Sequence, residues 1–252
     1  MKHLLRTAAI TLALTLAALP ARAGETLVAV AANFTAAANE VAEAFTKATG
    51  HTVKYSFGPT GQFYTQITQG APFEVFLAAD AERPAKAEAE GFAVEGTRFA
   101  YAVGKLVLWS ADPALVDAKG EVLKSGTFAK IAIASPAAAP YGAAAVETMK
   151  ALGLYDTLEP KIVQGSSIAQ THQFVATGNA QVGFVALAQI ALEDKGSRWV
   201  VPESLYSPIV QDAVLLKAGA ANEAAKAYLA FLRGPEAKAI IERYGYGVMA
   251  GS

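Results

Sequence analysis

Hydrophobic positions along this chain switch repeatedly between two patterns. "TLVAVAA" (26–32) is an unbroken apolar run, as in a parallel strand buried on both faces. Apolar residues then recur at Phe34, Ala38, Val41, Ala42 and Phe45. That is the spacing of an amphipathic helix, and Thr49-Gly50 ends it. "HTVKYSFG" alternates as a strand, "PTGQFYTQITQG" reads as a short helix and "PFEVFLAAD" as a third strand. Strand, helix, strand, helix, strand predicts a parallel sheet with helices on both faces.

A helical "AERPAKAEAEG" follows, and then "YAVGKLVLWS" (101–110), which is long for one strand. We read it as a single strand crossing between two lobes. The plan then repeats: strand "KIAIASP", helix "YGAAAVETMKALGL", strand "KIVQG", helix "SSIAQTHQFVATG", strand "AQVGFVAL". "YSPIVQDAVLL" predicts the return to the first lobe, which the helices "NEAAKAYLAFLRG" and "PEAKAIIERYG" complete. The expected division is 24–104 plus 209–252 for lobe 1 and 105–208 for lobe 2. Two crossings make a hinge, and a ligand would sit between the lobes.

Residues 1–23 stand apart. Lys2 and Arg6 precede an apolar run to Leu19, and "ARA" (21–23) has the small-x-small pattern of a signal-peptidase site. The run is short of the roughly 20 residues of a membrane helix, so a cleaved secretory signal is expected. The chain contains no cysteine, which excludes disulfides and a lipid-anchored cysteine. The fold must rest on its core, and an apolar content of 53% supplies one. Lysine and arginine number 21 against 22 acids; without Lys2, Arg6 and Arg22 the mature chain keeps 18 against 22. This mildly acidic balance argues against nucleic acid as a partner. An anionic ligand would have to be held by local groups.

Ligands of open α/β sheets bind outside the carboxyl ends of strands. Four strand-to-helix junctions qualify: "AANFT" (31–35), "GPTGQ" (58–62), "SPAAAPYGA" (135–143) and "GSSIAQ" (165–170). Each has a small or capping residue: Asn33, Thr60, the Pro140-Tyr141-Gly142 turn, and Ser166 or Ser167. Taken singly, each is explained by N-capping alone. Together they share a second property, the absence of Lys, Arg, Asp and Glu. Helix starts carry free N–H groups and about half a positive charge, so several in one cleft would bind an anion without a cation. A site of donors leaves the proton of a protonated oxyanion unpartnered, at a cost of about 1–3 kcal/mol. It therefore favours a fully ionised tetrahedral dianion over hydrogen phosphate.

Enzyme signatures are missing: no nucleophile elbow, HExxH, phosphate-binding loop or dinucleotide fingerprint. Only His51 and His172 remain after the leader, with no second His or Cys at ligand spacing, so no catalytic residue, cofactor or metal ligand is expected. Asp80 and Asp212 read as capping or hinge hydrogen-bonding residues. Phe57, Phe63 and Tyr64 flank the turns. For Tyr141, a cleft role and a packing role both stand.

At these turns the sequence resembles the molybdate-binding periplasmic proteins of ABC importers, the ModA type. The resemblance spans nearly the whole mature chain through "VAANF", "GAPFEVFLAAD", "YAVGKLVLWS", "IASPAAAPYGAAA", "TGNAQVGFVALAQ" and "GYGV". It implies a two-lobe periplasmic binding protein of type II that takes molybdate or tungstate between its lobes and hands it to a membrane permease. It also implies a monomer that is not an enzyme. By the resemblance, the ion meets only neutral groups: Asn33 with Ala32 beside it, Thr60 through its hydroxyl with Gly61 following, Tyr141, and Ile168 through its backbone N–H. A tyrosine that some members carry is Ala186 here. The alternatives are a receptor for sulfate or another tetrahedral oxyanion and, in another class, a secreted esterase built on a histidine and a serine.

Overall fold

The computed structural model of the protein describes residues 23–247, so the expected leader lies outside the described residues up to residue 22. The first sheet begins with β1 (Glu25–Ala31), β2 (Thr52–Gly58), β3 (Val75–Leu77) and β4 (Phe99–Gly104). The helices α1 (Thr35–Thr49), α2 (Thr60–Thr68) and α3 (Glu82–Ala89) alternate with them. The second sheet holds β5 (Leu106–Ser110), β6 (Ile131–Ala134), β7 (Ile162–Gly165), β8 (Val182–Ala186) and β9 (Ser197–Val200). Its helices are α4 (Val122–Ser125), α5 (Pro140–Ala151), α6 (Tyr155–Leu158) and α7 (Ile168–Ala176). The chain then returns as β10 (Ile209–Leu215) to the first sheet and ends in α8 (Glu223–Leu232) and α9 (Pro235–Arg243).

The strand orders are β2-β1-β3-β10-β4 and β7-β6-β8-β5-β9, the same layout twice. Strand-helix alternation predicts parallel sheets, and the structure departs from this: neither sheet is wholly parallel. In each, the fourth strand, β10 or β5, runs against its neighbours. The cause is the crossing itself. A strand of a β-α unit ends at the cleft; a chain that passes straight across enters the other sheet from its cleft end and so runs backwards. "YAVGKLVLWS" is accordingly two strands, β4 and β5, parted at Lys105 and belonging to different sheets. The third expected strand shrinks to Val75–Leu77, and the edge strand β9 was not foreseen.

Packing follows the periodicity. The helix α1 buries Ala37, Ala38, Val41 and Phe45 and stops at Gly50, whose φ of 76° is the left-handed cap conformation. Apolar clusters cover both faces of each sheet, and one continues between the lobes through Ala31, Ala32, Ala79 and Ile209. Among the described residues no helix is long and apolar enough to cross a membrane.

Phe45 is fully buried, edge-on to Tyr228 and Phe231 at centroid distances of 5.4 and 5.7 Å. Phe45→Ala should lower the free energy of unfolding in urea by about 3–5 kcal/mol. A loss below about 1 kcal/mol would show that this packing does not hold α1 on the sheet.

Candidate functional site

β1, β2, β6 and β7 each end in a turn that starts a helix. β1 passes through a tight turn (Ala32–Phe34) into α1, and β2 through Pro59 into α2. β6 leads to α5 with Pro140 at its first turn, and β7 leads through Ser166-Ser167 to α7. Gly142 lets α5 approach the end of β6: a Cβ there would lie 2.2 Å from the Ala134 carbonyl oxygen. Two helix starts from each lobe thus face one another. Ala32, Asn33 and Thr60 of the first lobe and Ala139, Tyr141 and Ile168 of the second line one small cavity. About 10 Å³ of it is open to the centre of a water-sized sphere, room for one compact group. No Lys, Arg, Asp or Glu lines it.

The cavity is surrounded by donors. The backbone N–H groups of Asn33, Thr60, Tyr141 and Ile168 have no acceptor among the described residues. They are the orphan donors that every helix start leaves. The Thr60 Oγ1 accepts the Ala79 N–H at 3.0 Å, and its own proton has no acceptor among the described residues. Gly61 is the exception among the expected contacts. Its N–H donates to the Ala138 carbonyl at 2.9 Å, across the cleft. Arg83 makes a parallel bond to the Ala137 carbonyl at 3.0 Å while paired with Asp80. Gly61 therefore joins the lobes instead of facing the cavity, and a Cβ on it would sit 3.2 Å from Ala138 Cα.

Asn33 is no helix cap. Thr35–Thr49 begins without a side-chain cap, and the Asn33 amino group donates to Gln211 Oε1 and to the Tyr246 hydroxyl, each at 2.9 Å. The Tyr246 hydroxyl in turn donates to the Asn33 carbonyl at 2.9 Å. Gln211 Nε2 donates to the Tyr141 hydroxyl at 3.0 Å, linking the lobes again. Tyr101 completes the cluster, 3.1 Å from both Ala78 O and Gln211 Oε1. Burial pushes Tyr101, Tyr141 and Tyr246 well above the usual phenol range, so all three stay protonated. Of the capping residues considered, Ser167 caps, accepting the Gln170 N–H at 3.2 Å.

The remaining candidates lie elsewhere. Asp80 caps α3 by accepting the Arg83 N–H at 2.9 Å, and Asp212 pairs with Arg98. Phe63 packs on Phe73, Phe57 is partly exposed, and Tyr64 pairs with Glu90 at the surface. His51 accepts the Gly24 N–H at 2.9 Å, and His172 stacks on Trp109 at 4.8 Å. Neither histidine bonds a serine among the described residues. No His/Cys/Asp/Glu cluster among these residues could hold a metal. Sequence reasoning overlooked Gln211, Tyr246 and Tyr101. A polar pair, Gln211-Asp212, inside an apolar strand was the available signal, since a buried polar side chain needs a partner.

Comparison with known proteins agrees with this architecture. The family of bacterial extracellular solute-binding proteins matches residues 26–247. The molybdate-binding protein ModA of Rhodobacter capsulatus is 64% identical over 243 residues, covering 96% of either chain. That of Azotobacter vinelandii is 57% identical over 236 residues, covering 92% of this chain and 94% of its own. A solved Azotobacter vinelandii periplasmic molybdate-binding protein superposes with a TM-score of 0.87 at 44% identity, covering 89% of this chain and all of the other. With the family model matching residues 26–247 and a ModA relative 64% identical over 96% of either chain, the chain belongs to the ModA family of bacterial extracellular solute-binding proteins.

Proposed function

We propose that this protein captures molybdate, and tungstate by the same contacts, between its two lobes in the periplasm and delivers it to the permease of an ABC importer. One observation carries the reading: four helix-start N–H groups without an acceptor among the described residues, and no charged side chain, surround one small cavity between the lobes. Such a site suits a small dianion stripped of water. The relatives named molybdate-binding proteins support the choice of ion. The contacts we assign are the backbone N–H groups of Asn33, Thr60, Tyr141 and Ile168 and the hydroxyls of Thr60 and Tyr141, with Ala32 shaping the wall. Lobe 1 comprises 24–104 and 209–252, lobe 2 comprises 105–208, and residues 1–23 are removed on export. The protein acts as a monomer and catalyses no reaction.

Calorimetric titration of ligand-free protein with molybdate, tungstate, sulfate and phosphate tests the function. Saturable one-to-one binding of molybdate and tungstate is expected, with phosphate weakest. Sulfate binding as tightly as molybdate would make the protein a general oxyanion receptor. No binding heat with any of the four would remove the proposal.

Thr60 tests the site. Because its oxygen already accepts from Ala79, its proton is the group to lose. Thr60→Ala should weaken molybdate binding by about 1–3 kcal/mol, as for a hydrogen bond to a charged group. Unchanged affinity in a folded variant would move the site away from α2.

A further inference from the structure

Gln211 is fully buried in β10, at a point where the pairing with β4 shifts register and leaves Tyr101 unmatched. Such irregularities re-aim side chains, and here the amide of Gln211 reaches Asn33 with one end and Tyr141 with the other. A primary amide has one donor end and one acceptor end, so these two contacts must have opposite polarity. The donations run in one direction: the two amino protons of Asn33 go to Tyr246 and to Gln211 Oε1, and Gln211 Nε2 passes a proton's worth of polarity on to the Tyr141 oxygen. The chain ends on the Tyr141 hydroxyl proton, which has no acceptor among the described residues.

Building on the oxyanion reading above, we infer that Gln211 is the positioning residue that sets the specificity of the site. By donating to Tyr141 it makes that hydroxyl a donor to the bound ion. By accepting from Asn33 it withholds the Asn33 amino group, so Asn33 meets the ion through its backbone N–H. Reversed polarity would turn the Tyr141 proton onto Gln211 and present an oxygen lone pair to a dianion. The bond also explains Gly104 at the end of β4: a Cβ there would lie 2.1 Å from the Tyr141 oxygen and 2.6 Å from Gln211 Nε2. Any larger residue at that position would separate the two. The charged group nearest in sequence, Asp212, turns away to Arg98, and Tyr101, Tyr141, Tyr206 and Tyr246 are all raised by burial. The Tyr101 hydroxyl, which can donate to Gln211 Oε1 at 3.1 Å, favours the same polarity.

The test is a double-mutant cycle on molybdate affinity, measured by calorimetry. It uses Gln211→Met, which removes both bonds without adding charge, Gln211→Glu at alkaline pH, where an ionised carboxylate can only accept, and Tyr141→Phe. Tyr141→Phe should weaken binding roughly tenfold to a hundredfold. Gln211→Glu should weaken it at least as much, Gln211→Met less. In the Tyr141→Phe background Gln211→Met should cost little more, and part of the Gln211→Glu loss should vanish, because no hydroxyl proton remains to be redirected. Losses that multiply across the cycle, or Gln211 variants that bind like wild type, overturn the inference. Thermal unfolding of each ligand-free variant identifies any that fails to fold; either Gln211 variant alone completes the cycle. Failure of the unmodified protein to bind molybdate would instead overturn the functional reading.

Discussion

A dianion taken out of water loses a hydration free energy that only fixed, correctly pointed dipoles can replace. A cation would supply attraction, but it would also draw every anion of the same charge. This chain meets the requirement with backbone. Four helices start at one cavity, and the groups that a helix start leaves unpaired are N–H donors. Those donors are part of the fold, so they need no reorganisation when an ion arrives.

The sheets exist in the form that makes this convergence possible. Each runs its parallel strands toward the cleft, and the crossing segments enter from the cleft side as the reversed strands β5 and β10. The reversed strand lies second from one edge in each sheet, and Gln211 of β10 bonds Tyr141 of the other lobe. The Gln211–Tyr141, Gly61–Ala138 and Arg83–Ala137 bonds then tie lobe to lobe around the cavity. Buried polar networks of this kind are stabilising only when every member is satisfied. Tyr246, Asn33, Gln211 and Tyr141 form a hydrogen-bonded chain in which the Tyr141 hydroxyl proton still lacks an acceptor among the described residues.

The strand and helix pattern was legible because it depends on local periodicity, and the four turns were legible because they lack charge. What the sequence hid lay at long range. Asn33 sits where a cap belongs, and local rules assign it to its own helix. Its amino group instead pairs with residues 178 and 213 positions away, and burial of all the partners makes that the better use of the side chain. Gly61 follows Thr60 at a helix start, yet its N–H is taken by a carbonyl of the other lobe. The direction of β5 and β10 was equally non-local, since it follows from which end of a sheet a crossing chain enters. Thr60 sits at the cavity wall where local reasoning put it and Ile168 where the resemblance put it, because both occupy the first position of a helix.

A cavity built of donors should take molybdate as the bare dianion and exchange no proton when it does so. The most direct measurement is calorimetric titration at neutral pH in two buffers of very different ionisation enthalpy. The same binding enthalpy is expected in both, meaning no proton is taken up or released. An enthalpy that tracks the buffer, corresponding to uptake of one proton per ion bound, would contradict it.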